Sequence, residues 1–125
     1  MSDVISRARK VQFDRHAGMG PPGIACGPVP NLAEWCAART RRERQILGLL
    51  LAAQEHHGMV VLLSRADLRA SDQTMHDMYY AGMVNGCGGP DRRGTGNTAE
   101  SSFWWLTERG EQVARACGLP PKVEA

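Results

Sequence analysis

Apolar residues recur along this chain at two different spacings. Ile46, Leu47, Leu49, Leu50 and Leu51 crowd one broad face at helical period, whereas "MVVLL" (59–63) and "SSFWWLT" (101–107) are short runs rich in β-branched or aromatic residues. Polar punctuation brackets the helical stretches. "NLAE" and "TRRE" place Asn31 and Thr40 as N-caps with Glu34 and Glu43 three residues on, a reciprocal capping arrangement. "SRAD" and "SDQT" add Ser64 and Ser71 as caps only seven residues apart, and Thr107 opens the last helix. The predicted helices are therefore about 32–38, 41–57, 65–70, 72–83 and 108–117, with Gly58 and Gly118 as stops. Met75, Met78, Tyr79 and Met83 fall on the inner face of the fourth.

Two capped helices so closely spaced, about 64–83, predict a helix-turn-helix. "MVNGCGG" and "SSFWWLT" read as strands of a hairpin, joined by the polar loop "PDRRGTGNTAE". Neighbouring residues on a strand point to opposite faces. One of Trp104 and Trp105 is thus expected on an outer face, covered by the N-terminal arm or by a partner subunit. The predicted fold class is mainly α with a small β-hairpin, a winged helix-turn-helix with an N-terminal extension.

The first thirty residues read differently. "GMGPPGIACGPVP" holds four prolines and four glycines, which no continuous helix tolerates. Residues 1–30 are expected to be an arm or linker, 31–118 the domain, and 119–125 a tail. Within the arm, the charged start suits a short helix, and "KVQF" alternates like an edge strand.

Composition narrows the classes. A chain of 125 residues with 42% apolar content supports one core. No apolar run approaches the roughly 20 residues of a membrane span, and the charged start lacks the apolar centre of a secretory signal. A cytoplasmic location without membrane contact is expected. Four scattered cysteines without C-x-x-C spacing read as free thiols. No metal or other cofactor is expected, and none of His56, His57 and His76 stands in a recognisable nucleophile setting, so no enzymatic activity is predicted. The net charge of +2 is unevenly spread. Residues 1–44 carry eight Lys/Arg against four Asp/Glu, and residues 45–125 carry seven against nine. "RTRRER" (39–44) is the densest cluster. Arginines in a first turn oppose the helix dipole, which points to a contact role.

The order of elements, with "DMYYAGMVNG" entering the hairpin and "FWWLTERGEQVA" leaving it, resembles the winged helix-turn-helix of bacterial MarR- and PadR-type regulators. The resemblance spans about 40–117. It implies a DNA-binding transcriptional regulator, a homodimer paired through terminal helices, with its second helix-turn-helix element in the major groove of double-stranded DNA. Carried onto this chain, the groove-facing residues are Ser71, Gln73, Thr74, His76, Asp77 and Tyr80. Arg92, Arg93, Thr95 and Asn97 fall in a basic wing at about 86–102, and Arg41, Arg42 and Arg44 add phosphate contacts. Gln73 suits an adenine edge, and the arginine pair suits phosphates or a narrow minor groove.

A second reading comes from the residues themselves. The predicted recognition helix contains Asp72 and Asp77 but no Lys or Arg, and a mid-helix aspartate facing outward is repelled by phosphates. With the pairs "YY" and "WW", this favours a protein-binding winged helix, an adaptor or inhibitor that grips a protein partner rather than DNA.

Overall fold

A computed structural model of the chain describes residues 3–10, 25–87 and 103–121. The wing residues Arg92, Arg93, Thr95 and Asn97 lie outside them. The order is α1 (Asp3–Ser6), β1 (Arg9–Lys10), α2 (Leu32–Ala37), α3 (Arg41–His57), β2 (Val61–Ser64), α4 (Arg65–Leu68), α5 (Asp72–Tyr80), β3 (Val84–Cys87), β4 (Phe103–Leu106) and α6 (Glu108–Cys117).

Four of the five expected caps accept their backbone hydrogen bond at 3.1 Å: Thr40 from Glu43, Ser64 from Asp67, Ser71 from Thr74 and Thr107 from Gly110. Each such cap stabilises its helix by about 1 kcal/mol. At Thr40 the box closes, because the Glu43 carboxylate accepts from the Thr40 N–H at 2.9 Å. Asn31 corrects the expectation. Its side chain makes no cap bond and instead donates to the Glu34 carboxylate at 2.6 Å.

Two helices end sooner than predicted. α4 stops at Leu68 because Arg69 adopts a left-handed φ of 51°. α5 stops at Tyr80, not Met83. Gly82 at φ 83° turns the chain, with the Met83 N–H on the Met78 carbonyl and the Gly82 N–H on the Tyr79 carbonyl, both at 3.0 Å. That is the Schellman pattern of a glycine stop.

The strands form one antiparallel sheet in the order β1-β2-β4-β3. The predicted hairpin is present: β3 pairs with β4, Val84 opposite Leu106 and Cys87 opposite Phe103. β4 also pairs with β2, Leu63 opposite Trp104. The N-terminal segment contributes the expected short helix and, at Arg9–Lys10, an edge strand; of the expected strand "KVQF" only Lys10 lies among the described residues. β1 pairs with β2, and Ile5 of α1 joins the core.

That core lies between α3, α5, α6 and one sheet face. Ile46, Leu47 and Leu50 of α3 meet Met75 and Met78 of α5, Val113 of α6, and Leu63, Trp104 and Leu106 of the sheet. Burial of each large side chain favours folding by about 1.5–3 kcal/mol. The two tryptophans point to opposite faces, as expected. Trp105 alternates away from Trp104 and is not part of the core cluster, yet it is fully buried, and Trp104 is 6% exposed.

The corner "LTERG" locks the two halves together. The Thr107 hydroxyl donates to the Gly82 carbonyl at 2.5 Å, and the Thr107 N–H donates to the Met83 carbonyl at 3.1 Å. Gly110 packs so tightly there that a Cβ would stand 1.8 Å from the Met83 oxygen. The end of α5 and the start of α6 are thus one joint. Among the described residues no helix is long and apolar enough to cross a membrane.

Candidate nucleic-acid interface

The left-handed turn at Arg69 leaves the last carbonyls of α4 without helical partners. Arginines supply them. Arg42, in the first turn of α3, donates Nη2 to the Leu68 carbonyl at 2.5 Å and also to the Arg69 carbonyl. Arg65 donates Nη1 to the Ala70 carbonyl at 2.6 Å. The Arg69 side chain stands exposed at the turn itself, and Arg41 is exposed beside Arg42 at the start of α3. The guanidinium groups of Arg42 and Arg65 therefore lie on the turn where α5 begins, with exposed Arg69 in the turn and exposed Arg41 next to Arg42 in the chain. Among the described residues none of the four forms an ion pair with a carboxylate. Of the acids nearest in sequence, Glu43 is held by Arg39 at 3.3 Å and by the Thr40 N–H, and Asp67 by Arg7 at 2.7 Å.

α5 starts at this turn. Ser71 caps it, with its Oγ 2.8 Å from Thr74 Oγ1, and Ser71, Asp72 and Gln73 are exposed. Its N-terminal dipole adds to the positive field, partly offset by Asp72. Further along, the outward side changes sign. Asp77 is exposed and accepts from the Gln73 amide at 2.8 Å, and His76 Nε2 lies 4.0 Å from the Asp72 carboxylate. Gln73 thereby commits a donor within its own helix, whereas a bidentate grip on adenine requires both the donor and the acceptor of the amide. Tyr80 is 60% exposed at the far end. Tyr79 is half-buried, edge-on to Trp104 and Tyr80, and burial together with the neighbouring Tyr80 raises its pKa above the ordinary value.

The cluster "RTRRER" does not act as one patch. Arg39 stacks over Trp35 and pairs with Glu43 at 3.3 Å. Arg44 donates Nε to the Cys117 carbonyl at 2.9 Å, at the far end of α6. The arginines that oppose their own helix dipole thus complement the carbonyl ends of other helices: Arg42 that of α4, Arg44 that of α6. Only Arg41 and Arg42 of the expected trio lie by the helix-turn-helix. Sequence reading missed Arg65 and Arg69. Their signal was the spacing "SRADLRAS", in which arginines flank a helix too short to satisfy its own carbonyls.

Elsewhere the charges satisfy one another. A hollow of about 420 Å³ between the end of α3 and α6 is lined by Gln54, Glu55, Met59, Glu111 and Arg115. There Arg115 bridges to Glu55 at 2.9 Å and to Glu111 at 3.7 Å. Among the described residues no group of three or more His, Cys, Asp or Glu side chains is placed to hold a metal ion. His57 Nε2 is 2.8 Å from the Ile5 carbonyl, a packing contact that ties α1 to α3. No family model, curated protein or solved structure matches the chain.

Proposed function

We propose that the domain is a winged helix-turn-helix that binds double-stranded DNA as a cytoplasmic transcriptional regulator, acting as a homodimer. The observation that carries this reading is the placement of Arg42, Arg65 and Arg69 at the turn before α5, with exposed Arg41 beside Arg42 in the chain, all without carboxylate partners among the described residues. A phosphate backbone is the polyanion such a turn suits, and phosphate contacts fix the register of a helix on the duplex. The topology supports it. Three helices, α3, α4 and α5, precede a hairpin whose returning strand, β4, lies between β2 and β3. The arginine pair Arg92 and Arg93 stands in the sequence between those hairpin strands, where a wing reaches the adjacent groove.

In this reading the grip belongs to the turn, and α5 contributes its first residues, Ser71, Gln73 and Thr74, more than its acidic middle. Four phosphate contacts give a slope of log K against log salt of about −3.6, a loss of roughly 100-fold between about 50 and 200 mM salt. A shift assay with duplex DNA from upstream of the protein's own coding region, run at those two concentrations, tests the reading. Retention of a complex that weakens by that order supports it. Absence of any complex at the lower concentration overturns it.

One observation favours a second reading, the protein-binding adaptor. The outward side of α5 presents Asp72 and Asp77 with the exposed ring of Tyr80, and Tyr is enriched where proteins meet. Pull-down of one stoichiometric partner by a chain that ignores DNA selects that reading. Asp77→Ala and Tyr80→Ala then abolish the capture.

A further inference from the structure

Residues 26–29 are bound to the first turns of α6 through hydrogen bonds to their main chain. The Arg109 N–H, one of the donors that the start of a helix leaves without an internal partner, donates to the Cys26 carbonyl at 2.7 Å. The Arg109 Nε donates to the Gly27 carbonyl at 2.8 Å. Three residues on, the Gln112 amide accepts from the Val29 N–H at 2.8 Å and donates to the Val29 carbonyl at 3.4 Å. Val29 is buried, although Pro28 and Pro30 on either side of it are exposed.

Arg109 reaches further than this segment. A cation in the first turn opposes the dipole of its own helix, and here the compensation comes from other elements. Its Nη1 donates to the Ala81 carbonyl at 3.3 Å, and its guanidinium lies 4.9 Å from the Trp35 ring of α2. Ala81 is the C-cap of α5, where a helix leaves its last carbonyls without internal partners. One half-buried side chain thus touches residue 27, α2 and the end of α5.

We propose that residues 26–29 act as a strap whose docking on α6 fixes the C-terminal end of α5, with Arg109 as the positioning residue that carries the coupling. The Gly27 carbonyl holds the guanidinium at Nε, which leaves Nη1 facing Ala81. When the strap lifts, that acceptor is lost and the side chain regains rotamer freedom. The bond to Ala81, the longest Arg109 makes to these carbonyls, then goes first. Gly82 and Met83, whose N–H groups form the stop of α5, follow Ala81 directly. The Thr107 hydroxyl still holds the Gly82 carbonyl, so lifting the strap loosens the end of α5 without melting the helix. The regulatory consequence rests on the reading of α5 as the helix presented to DNA: the docked strap sets how firmly that helix is held.

Hydrogen exchange of the full chain, followed amide by amide without DNA, is the test. Gln112→Ala takes away both side-chain bonds to Val29 and leaves Arg109 in place. Exchange at Ala81, Gly82 and Met83 should then quicken by about fivefold or more, and by more than at Leu47 and Leu50 of α3, which report the stability of the whole domain. In an Arg109→Ala background the same substitution should change those three amides by less than about twofold, because the link is already cut; a merely structural loss adds equally in both backgrounds. Wild-type exchange at residues 81–83 in Gln112→Ala, or equal increases in the two backgrounds, overturns the proposal. Val29→Ala, which shrinks the buried anchor of the strap, is read by the same criteria where Gln112→Ala does not fold. The exchange result stands apart from the duplex-binding assay: a chain that shows the coupling but binds no DNA keeps the strap and loses the proposed function.

Discussion

Replacing Thr107 by valine keeps the shape of a fully buried side chain and removes one hydroxyl. That hydroxyl makes two hydrogen bonds, donating to the Gly82 carbonyl at 2.5 Å and accepting from the Gly110 N–H at 3.1 Å. Losing the cap costs about 1 kcal/mol. Leaving the carbonyl of buried Gly82 without that donor adds about 1–3 kcal/mol. The expected loss is thus about 2–4 kcal/mol. For 125 residues, an unfolding entropy of about 2.1 cal/mol/K per residue converts this to a fall in Tm of about 8–15 °C. Urea melts of wild type, Thr107→Val and Thr107→Ser read it directly. Serine retains the oxygen and loses a methyl, so it should cost no more than about 1 kcal/mol. A valine variant within about 0.5 kcal/mol of wild type, or a serine variant as damaged as the valine one, would refute the idea that this hydroxyl joins α5 to α6.

Three further outcomes follow from the packing and the charges. Gly48→Ala places a Cβ 1.6 Å from the Leu119 carbonyl oxygen, so residues 118–121 must shift, at a cost of about 1–3 kcal/mol in a urea melt. Arg42→Ala strips the Leu68 and Arg69 carbonyls of their donor and should cost about 1–2 kcal/mol, whereas Arg41→Ala should stay within about 0.5 kcal/mol; equal losses in thermal melts would contradict the division of roles. Cys117, raised from 9.0 to about 11, holds its proton more tightly in the folded chain than in the unfolded one. The stability linked to it is therefore fully present below pH 9 and is lost as pH rises through about 11. Cys117→Ser should flatten the decline of Tm across that window, and an unchanged profile would count against the shift.

Much of the fold is legible because its signals are local. Thr40 and Glu43 sit three residues apart, and Gly58 follows two histidines; α3 begins and ends where those residues place it. The hairpin is equally local, since "SSFWWLT" and the run after Gly82 differ in period from the helices around them. The expected helix 72–83 overruns the observed α5 because "YYAGMV" continues the apolar spacing past Gly82, whose positive φ ends the helix. What local patterns do not carry is partnership over distance. Arg42 meets carbonyls 26 and 27 residues away, and Arg44 meets one 73 residues away. From sequence such arginines look unemployed, because the carbonyls they meet are distant along the chain. Trp105 shows the converse: alternation sets the face it points to but not what encloses it. At the candidate site, Ser71, Gln73, Asp77 and Tyr80 are exposed and Thr74 and His76 half-buried, but the charge that defines the site comes from α3, α4 and the turn after α4.

The central claim, that arginines without carboxylate partners among the described residues, at and beside the α4–α5 turn, hold DNA phosphates, is tested most directly by the salt dependence of duplex binding for wild type and Arg41→Ala/Arg69→Ala. Both side chains are exposed and, among the described residues, free of carboxylate partners, so their loss should leave the fold intact by circular dichroism. The slope of log K against log salt should become shallower by about 1.8, two phosphate contacts at about 0.9 each, with affinity reduced for every sequence alike. A doubly substituted chain that binds DNA with the wild-type slope and affinity would contradict the account.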